Sequence, residues 1–289
     1  MLEIGRGLKP NEEEVHVGMW CMMSSPMLIG CDLNSLNEQS LSLLKNKELI
    51  AINQDPLGLQ AYVALRQGEG YILIKDLEKF HGKVRAVALF NPSDSVMSFS
   101  VPLPELELGG KVQARDVIRH QEVKINGDKL LAEVPAHGIK VLRMEGKKRL
   151  EATRYEAEWA FLSAYDDLGK RKKPVKFVPV EGASGGICVA HVGGASNNNA
   201  VWRNVWSDKG GNYLLKVRYV DAPRLKMMLK VNGIESGCME TGSQAVDAKK
   251  VTFKEAVFQV TLKKGYNSVK LYSPLTLIPT LDCFTLEKV

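Results

Sequence analysis

The sequence contains no apolar run that approaches the ~18 residues of a membrane span, so we predict no transmembrane segment and no membrane partner. Its five cysteines are widely spaced and form no CxxC pair, which argues against a zinc site and favours buried free thiols over a disulfide. The net charge of +6 comes mainly from two basic runs, 147–149 and 170–173. Because aromatic residues do not alternate with these basic residues, we predict solvated loops and no nucleic-acid partner.

Residues 1–57 have the pattern of a helix, a short strand and a further helix. The first helix is predicted from about Asn11, because three glutamates in its first turn suit the positive end of a helix dipole, and Pro26 marks its end. The run Met27–Leu33 is apolar on both faces, as expected of a parallel strand that is covered on both sides. Such a strand needs neighbours, so we expect this segment to be molten, dimerised or covered by the β domain that follows.

From residue 58 the apolar residues recur with a period of two, which is typical of antiparallel β-structure. Residues Val84–Phe90 alternate in this way, and Asn126-Gly127-Asp128 is a strong signal for a hairpin turn. We therefore predict a small antiparallel β domain over residues 58–146, with a linker at Gly146–Arg149.

Residues 150–289 again have the pattern of short strands that are separated by turns. Apolar and aromatic residues occupy every second position of Tyr213–Tyr219, with Lys216 and Arg218 between them. Asn232-Gly233 supplies a turn signal. A stretch of this length and pattern fits one jelly-roll β-sandwich.

Four motifs in the first half of the chain resemble a known enzyme family. They are the apolar stub Met1–Gly5, the run Met27–Leu33, the segment Glu48–Gly58, and Pro135–Gly138 before an apolar strand. In this order they closely resemble the last part of the catalytic barrel of family 27 glycoside hydrolases, the α-galactosidase family, followed by that family's C-terminal β domain. The resemblance implies a mainly β chain in which residues 1–57 are a remnant of the last βα elements of a (β/α)₈ barrel.

The same resemblance implies a function. Members of the family hydrolyse terminal α-D-galactosides by double displacement, and related members act on α-N-acetylgalactosaminides or β-L-arabinopyranosides. A galactose-containing oligo- or polysaccharide is therefore the expected partner, and a secreted or extracytoplasmic location is expected. The first residues lack the basic and apolar regions of a signal peptide, which leaves secretion open if sequence precedes Met1. The rival interpretation is a non-catalytic sugar-binding or scaffolding protein.

Catalysis by a retaining glycosidase needs two carboxylates about 5–5.5 Å apart. In the family both lie on strands that come before the position of Met1, so we assign no catalytic residue here and expect the chain as given to be inactive. Only Met1 carries over to the substrate pocket, as the apolar wall beside the sugar. Asp32 matches no catalytic position, and Asp55 is expected to serve the turn that begins at Pro56.

Three acidic residues of the last domain are candidate metal ligands. Glu156 and Glu158 are two apart, so a strand would place them on the same face. The terminal strands of a jelly roll commonly lie side by side, which would bring Asp282 to this pair. Ca²⁺ takes such oxygen ligands. From the spacing alone, an exposed acidic strand that is neutralised by Lys or Arg is the favoured alternative.

A second resemblance favours the metal. The order of motifs, with the match spanning nearly all of residues 153–289, looks like a family 35 carbohydrate-binding module: Tyr155–Glu158, Ser184–Gly186, Gly211–Tyr213, Val217–Tyr219, Val231–Gly233, Lys264–Asn267 and Leu281–Asp282. In that family the paired glutamates and the late aspartate hold a structural calcium ion. The resemblance therefore implies that Glu156, Glu158 and Asp282 bind Ca²⁺.

Sugar binding by this module has weaker candidates. Related modules often carry a loop tryptophan after the Val-Asn-Gly strand, but residues 241–246 contain no aromatic residue. Trp202 and Trp206 are the remaining aromatic candidates, although a core role is favoured for both. Asn198 and Asn199 are candidates to hydrogen-bond sugar hydroxyls, and the alternative is a loop that uses the backbone tolerance of asparagine.

Overall fold

The computed structural model describes residues 1–77, 82–165, 174–242 and 251–289. The chain forms two compact units, Met1–Leu150 (unit 1) and Glu151–Val289 (unit 2). The basic run 170–173 lies outside the described residues, so its predicted loop stays a prediction. Among the described residues, no helix has the length and apolar character that crossing a membrane requires.

Unit 1 combines short helices with antiparallel sheets. Its helices are α1 Pro10–Met22, α2 Glu38–Leu44 and α3 Lys47–Asn53. Its strands are β1 Tyr62–Gln67, β2 Gly70–Asp76, β3 Val84–Asn91, β4 Met97–Pro102, β5 Leu108–Asp116, β6 Gln121–Val123, β7 Ile125–Asn126, β8 Lys129–Val134 and β9 Gly138–Arg149. One sheet has the order β1-β2-β3-β9-β5-β6, and a smaller sheet has the order β4-β8-β7.

Helix α1 is covered by the β domain, which is one of the three outcomes expected for residues 1–57. Pro10 lies in the first turn, where a missing N–H costs nothing, and the Glu12 carboxylate accepts the Lys9 backbone N–H at 2.7 Å. Val17 and Met22 on the helix are fully buried in one core with Val141 and other side chains of strands β3 and β9. The predicted domains 1–57 and 58–146 therefore share a core within unit 1.

The prediction of a buried strand over Met27–Leu33 is wrong for the described chain. Leu2 and Ile29 pair in parallel through a single bridge, in which the Leu2 N–H donates to Leu28 O at 2.7 Å. The parallel direction is that of neighbouring barrel strands. However, Leu28, Ile29 and Leu33 are exposed. A parallel strand is buried only when sheet neighbours and helices cover it, and the described residues do not supply that cover.

Lys75 on β2 joins the helices to the sheet. Its fully buried Nζ donates to Cys21 O at the end of α1 at 3.1 Å, to Ser24 Oγ at 2.7 Å and to Ile52 O in α3 at 2.5 Å. The carbonyls at a helix C-terminus carry partial negative charge, so they suit a cation. Burial of the ammonium lowers the pKa of Lys75 from its ordinary value.

The predicted linker at Gly146–Arg149 is instead the end of strand β9. Arg149 pairs with Leu108 in the sheet, and its guanidinium is buried. Arg149 Nη1 lies 2.9 Å from Asp76 Oδ1, and Arg149 Nη2 lies 2.5 Å from Glu107 Oε2. Arg85 contacts the same two carboxylates at 3.2 and 3.4 Å. Two guanidiniums and two carboxylates thus neutralise each other inside unit 1.

Unit 2 consists of two sheets that face each other across an apolar core. Its strands are β10 Arg154–Glu156, β11 Phe161–Leu162, β12 Lys176–Pro179, β13 Ile187–Ala190, β14 Asn199–Ser207, β15 Gly211–Val220, β16 Lys226–Val231, β17 Ile234–Glu240, β18 Phe253–Leu262, β19 Gly265–Tyr272 and β20 Leu281–Lys288. One sheet has the order β12-β13-β20-β15-β18, with β10 paired to β20, and the other has the order β11-β14-β19-β16-β17.

The period-two pattern of β15 matches its burial. Tyr213, Leu215, Val217 and Tyr219 all point into the core, while Lys216 and Arg218 point away from it. The predicted fold class, a mainly β chain with a barrel remnant and β-sandwich domains, is confirmed.

The buried ion-pair network of unit 1 generates a stability prediction. We expect Arg149→Met to lower the free energy of unfolding by about 3–5 kcal/mol, because it leaves Asp76 and Glu107 buried with too little positive charge. Lys148→Met is the matched control, since Lys148 is the exposed neighbour on the same strand and its replacement should cost less than about 0.5 kcal/mol. Native-state hydrogen exchange of the β3 amides measures both changes. Equal effects would contradict the network.

Candidate functional site

A cluster of buried carboxylates forms where the two ends of unit 2 meet. Strand β10 pairs antiparallel with β20, and Glu156 lies opposite Cys283, next to Asp282. Asp282 is fully buried and Glu156 is 6% exposed. Ligand atoms of Glu156, Asp282 and Cys283 lie within 4.8 Å of one another. The sequence predicted that the terminal strands would bring Asp282 to the glutamates, and the strand pairing places Asp282 beside Glu156.

The loop Ser184–Gly186 covers this cluster. The Ser184 backbone N–H donates to Asp282 Oδ1 at 2.8 Å, and its hydroxyl donates to Glu156 Oε1 at 2.7 Å. Gly185 has a φ of 63°, a left-handed conformation that favours glycine. A Cβ at Gly185 would lie 3.3 Å from Glu158 Oε1. The carboxylates of Glu156, Glu158 and Asp282 therefore all approach one short loop.

Glu158 reaches the loop by a different route from the one predicted. Strand β10 ends at Glu156, and Glu158 lies in a 3₁₀ helix, Ala157–Trp159. The prediction that a strand places both glutamates on one face is therefore wrong. The turn of the 3₁₀ helix, and not the alternation of a strand, directs the second carboxylate to Gly185.

Two arginines partly neutralise the cluster. Arg154 Nε lies 2.8 Å from Glu156 Oε1, and Arg218 Nη1 forms an ion pair with Asp282 Oδ2. Glu156 and Asp282 thus each contact one guanidinium. Burial, and to a lesser extent the Asp282 carboxylate, raise the pKa of Glu156, although its bonds to Ser184 and Arg154 oppose the shift. Glu156 Oε2 is buried and has no hydrogen-bond partner among the described residues. An oxygen-rich donor set that includes this buried carboxylate oxygen fits a hard divalent cation.

Two thiols flank the same carboxylates, which the sequence did not predict. Cys188 Sγ lies 4.0 Å from Asp282 Oδ1, and Cys283 Sγ lies 3.9 Å from Asp282 Oδ2. Burial and the neighbouring carboxylates raise the pKa of both thiols to about 12, so they are protonated at neutral pH. All five cysteines are free, as the sequence favoured, but only Cys21, Cys188 and Cys283 are buried; the prediction of burial is wrong for Cys31 and Cys238.

The structure contradicts Trp202 as a sugar-stacking residue. Its side chain is 1% exposed, its Nε1 donates to Glu156 O at 2.9 Å, and its ring meets Phe284 edge-on at 4.9 Å between centroids. Trp206 is also buried. A ring inside the core has no face to offer a sugar, so the alternative core role holds. Of the loop 241–246, residues 243–246 lie outside the described residues.

The structure also contradicts Asn198 and Asn199 as sugar ligands. Both side chains are buried. Asn198 Nδ2 donates to His191 O at 2.8 Å and to Gly193 O at 2.7 Å, which holds the loop before β14. Asn199 is the first residue of β14 and pairs with Tyr272. Buried side chains are not accessible to a ligand, and the Asn198 amide also holds the backbone of this loop.

The other predicted positions lie in the barrel remnant. Met1 is exposed, and a Cβ at Gly30 would lie 3.3 Å from Met1 Cβ, so both parallel segments meet at this edge. Its role as the wall of a sugar pocket stays a prediction. The Asp32 side chain accepts the Asn34 backbone N–H at 3.0 Å and caps a 3₁₀ turn. Asp55 Oδ1 accepts the Leu57 N–H at 3.1 Å, in the turn role that the sequence favoured.

Comparisons with known proteins match two successive parts of unit 1 to one enzyme family. Residues 1–55 match the family described as alpha galactosidase A, and residues 67–144 match the alpha galactosidase C-terminal beta sandwich domain. Alpha-galactosidase A of Cellvibrio japonicus is 32% identical over 155 residues, which cover 50% of this chain and 38% of that enzyme. The chain thus spans well under half the length of the curated relatives that it matches.

Solved structures extend the likeness to the fold of the whole chain. The isomalto-dextranase of Arthrobacter globiformis T6, complexed with panose, matches 96% of this chain and 48% of that chain, with a TM-score of 0.57 and 18% identity. At this identity the match shows the fold alone. A family 35 carbohydrate-binding module from Clostridium thermocellum covers 46% of this chain and 96% of the module, but its TM-score of 0.39 and 22% identity carry no argument.

Unit 1 therefore has the architecture of a glycoside hydrolase's last barrel elements joined to a C-terminal β-sandwich. Its resemblance to the α-galactosidase family is confirmed, and residues 1–144 correspond to the C-terminal part of that family's proteins.

Proposed function

We propose that this chain is the C-terminal part of a retaining glycoside hydrolase that acts on terminal α-D-galactosides, and that residues 1–289 by themselves do not hydrolyse them. The observation that carries the proposal is the succession of the two α-galactosidase matches, residues 1–55 and 67–144, within one shared core. The substrate class is that named in the relatives.

The two buried acids of helix α1 have structural partners. Glu13 accepts the Gly5 N–H at 2.7 Å and the Ser40 hydroxyl at 2.6 Å. Glu14 forms a two-point ion pair with Arg119 at 2.7 and 2.8 Å. These carboxylates hold helix α1 to its surroundings. Double displacement needs one free nucleophile and one proton donor, about 5–5.5 Å apart on either side of the scissile bond.

The exposed apolar edge of unit 1 supports the proposal that this chain is part of a longer enzyme. Met1, Leu28, Ile29 and Leu33 are large apolar side chains left in solvent. Each forfeits about 1.5–3 kcal/mol relative to burial. Further parallel strands of a barrel, paired beside the Leu2–Ile29 bridge, would recover this free energy.

An activity assay tests the proposal. Purified residues 1–289 should release no aryl leaving group from aryl α-D-galactosides above a no-enzyme control, because general acid catalysis needs a positioned proton donor. A full-length α-galactosidase assayed in parallel is the positive control. Turnover that persists after repurification would contradict the proposal.

We further propose that unit 2 is a carbohydrate-binding module with a structural Ca²⁺ held by Glu156, Glu158 and Asp282. The supporting observations are the burial of two acidic side chains, Glu156 and Asp282, the approach of Glu158 to the same short loop, and the buried Glu156 Oε2, which has no hydrogen-bond partner among the described residues. The ion would neutralise the charge of these carboxylates and fix the ends of β10 and β20. Only oxygen atoms are expected as ligands, since Ca²⁺ is a hard cation that takes oxygen ligands.

Thermal unfolding tests the calcium site. At a calcium concentration a hundredfold above its Kd, we expect a stabilisation of about 2.7 kcal/mol relative to chelator, because the ion binds the folded state alone. Glu158→Gln should abolish most of this difference, since it removes a charged ligand with little change of shape. Glu287→Gln removes an exposed charge from β20 and is the matched control. A melting temperature that changes neither with chelator nor in Glu158→Gln would contradict the site.

The covering loop provides a sharper variant pair. Gly185 and Gly186 both have positive φ, 63° and 78°, so alanine at either position should cost about 1–2 kcal/mol in backbone strain. Only a Cβ at Gly185 would press on Glu158, because nothing lies within 4 Å of one at Gly186. We expect Gly185→Ala, and not Gly186→Ala, to weaken the calcium-dependent stabilisation. Calcium titration with differential scanning fluorimetry measures it, and equal loss in both variants would count against Glu158 as a ligand.

A further inference from the structure

Two exposed aromatic side chains lie together at one corner of unit 2. Tyr165 is 47% exposed and Phe177 is 44% exposed, and their ring centroids are 5.5 Å apart with the planes tilted by 40°. The backbone sets both positions. Tyr165 pairs in parallel with Val175, and Phe177 on the edge strand β12 lies opposite Val189. The pair is therefore a property of the sheet edge, and not of a chance side-chain rotamer.

Polar groups border the aromatic pair. His191 Nδ1 lies 3.0 Å from Pro174 O. Because a carbonyl oxygen only accepts, Nδ1 is the donor, and Nε2 is the acceptor of the neutral imidazole. Asn197 is exposed, and its carbonyl accepts the hydroxyl of Ser163 at 2.6 Å; Ser163 lies two residues before Tyr165 in the chain. The Asn198 side-chain amide, which is not available to a ligand, donates a hydrogen bond to the backbone carbonyl of His191 and so holds His191 in place.

We propose that Tyr165, Phe177, His191 and Asn197 form a sugar-binding surface that takes a pyranose unit of a galactose-containing glycan. The inference rests on the proposed carbohydrate-binding function of unit 2 and names the residues that perform it. A pyranose presents an apolar C–H face and a rim of hydroxyls. An aromatic face suits the first, and an amide with an imidazole acceptor suits the second. This surface replaces the buried Trp202 as the stacking element.

A third exposed aromatic residue shows what distinguishes this corner. Phe161 is 51% exposed, but the Arg203 guanidinium lies over its ring at 4.6 Å from the centroid. That face is taken by the protein's own cation. Phe161 is thus an aromatic of equal exposure that does not belong to the proposed surface, which makes it a matched control.

Binding of the full chain to polysaccharides tests the inference. Affinity gel electrophoresis with galactomannan and arabinogalactan, and hydroxyethyl cellulose as the galactose-free comparison, gives the Kd of each variant. We expect Tyr165→Ala and Phe177→Ala each to weaken binding by about tenfold or more. Asn197→Ala should weaken it less. Tyr165→Phe keeps the ring and should retain more affinity than Tyr165→Ala, while Phe161→Ala should bind as the unmodified chain does. Unchanged melting temperatures establish that each variant is folded.

The outcomes separate the inference from the function on which it rests. If the unmodified chain binds none of the polysaccharides, the carbohydrate-binding function of unit 2 and this surface both fail. If it binds but Tyr165→Ala and Phe177→Ala bind equally well, only the surface fails. A second copy of the chain is the competing occupant. Sedimentation velocity that shows a dimer lost in Tyr165→Ala, with sugar binding intact, would also overturn the proposal.

Discussion

Unit 1 depends on the burial of helix α1 against strands β3 and β9. The helix would otherwise expose a face that includes Val17 and Met22, which are fully buried in the shared core. At about 1.5–3 kcal/mol for each fully buried side chain, this contact outweighs the marginal stability of a thirteen-residue helix alone. Lys75 also holds the helices in a fixed orientation on the sheet, because its ammonium donates hydrogen bonds to carbonyls of both α1 and α3. The remnant therefore has a fixed position without the rest of a barrel.

The two units treat buried charge differently. In unit 1, Arg85 and Arg149 both contact Asp76 and Glu107, so the described charges of this network balance. In unit 2, Glu156 and Asp282 each contact one arginine, but the buried Glu156 Oε2 has no hydrogen-bond partner among the described residues. Removing an ion from water costs several kcal/mol unless it is paired. This buried carboxylate oxygen is the physical reason to propose a metal in unit 2.

Much of the fold could be predicted from local pattern. The alternation along Tyr213–Tyr219 specified which face is buried, because a strand has a side-chain period of two. The motifs around Met1 and Pro135–Gly138 located the α-galactosidase part, and the two family matches confirm that assignment. Predictions failed where local pattern and tertiary pairing disagree. Gly146–Arg149 has the composition of a linker, yet it is the end of strand β9. Leu108 pairs with Arg149 in the sheet, and the Arg149 guanidinium forms an ion pair with Asp76.

The sequence by itself determined the class of elements, the order of the parts and the residue types of the metal candidate. Periodicity and turn signals depend on residues a few positions apart, so they can be recognised in the sequence without knowledge of the tertiary contacts. Tertiary structure alone decided which of the candidate site residues face solvent. It buried Trp202, Asn198 and Asn199, left Tyr165 and Phe177 open at a sheet edge, and turned Glu158 toward Gly185 through a 3₁₀ helix. Exposure depends on contacts between residues far apart in the chain, and local spacing contains no record of those contacts.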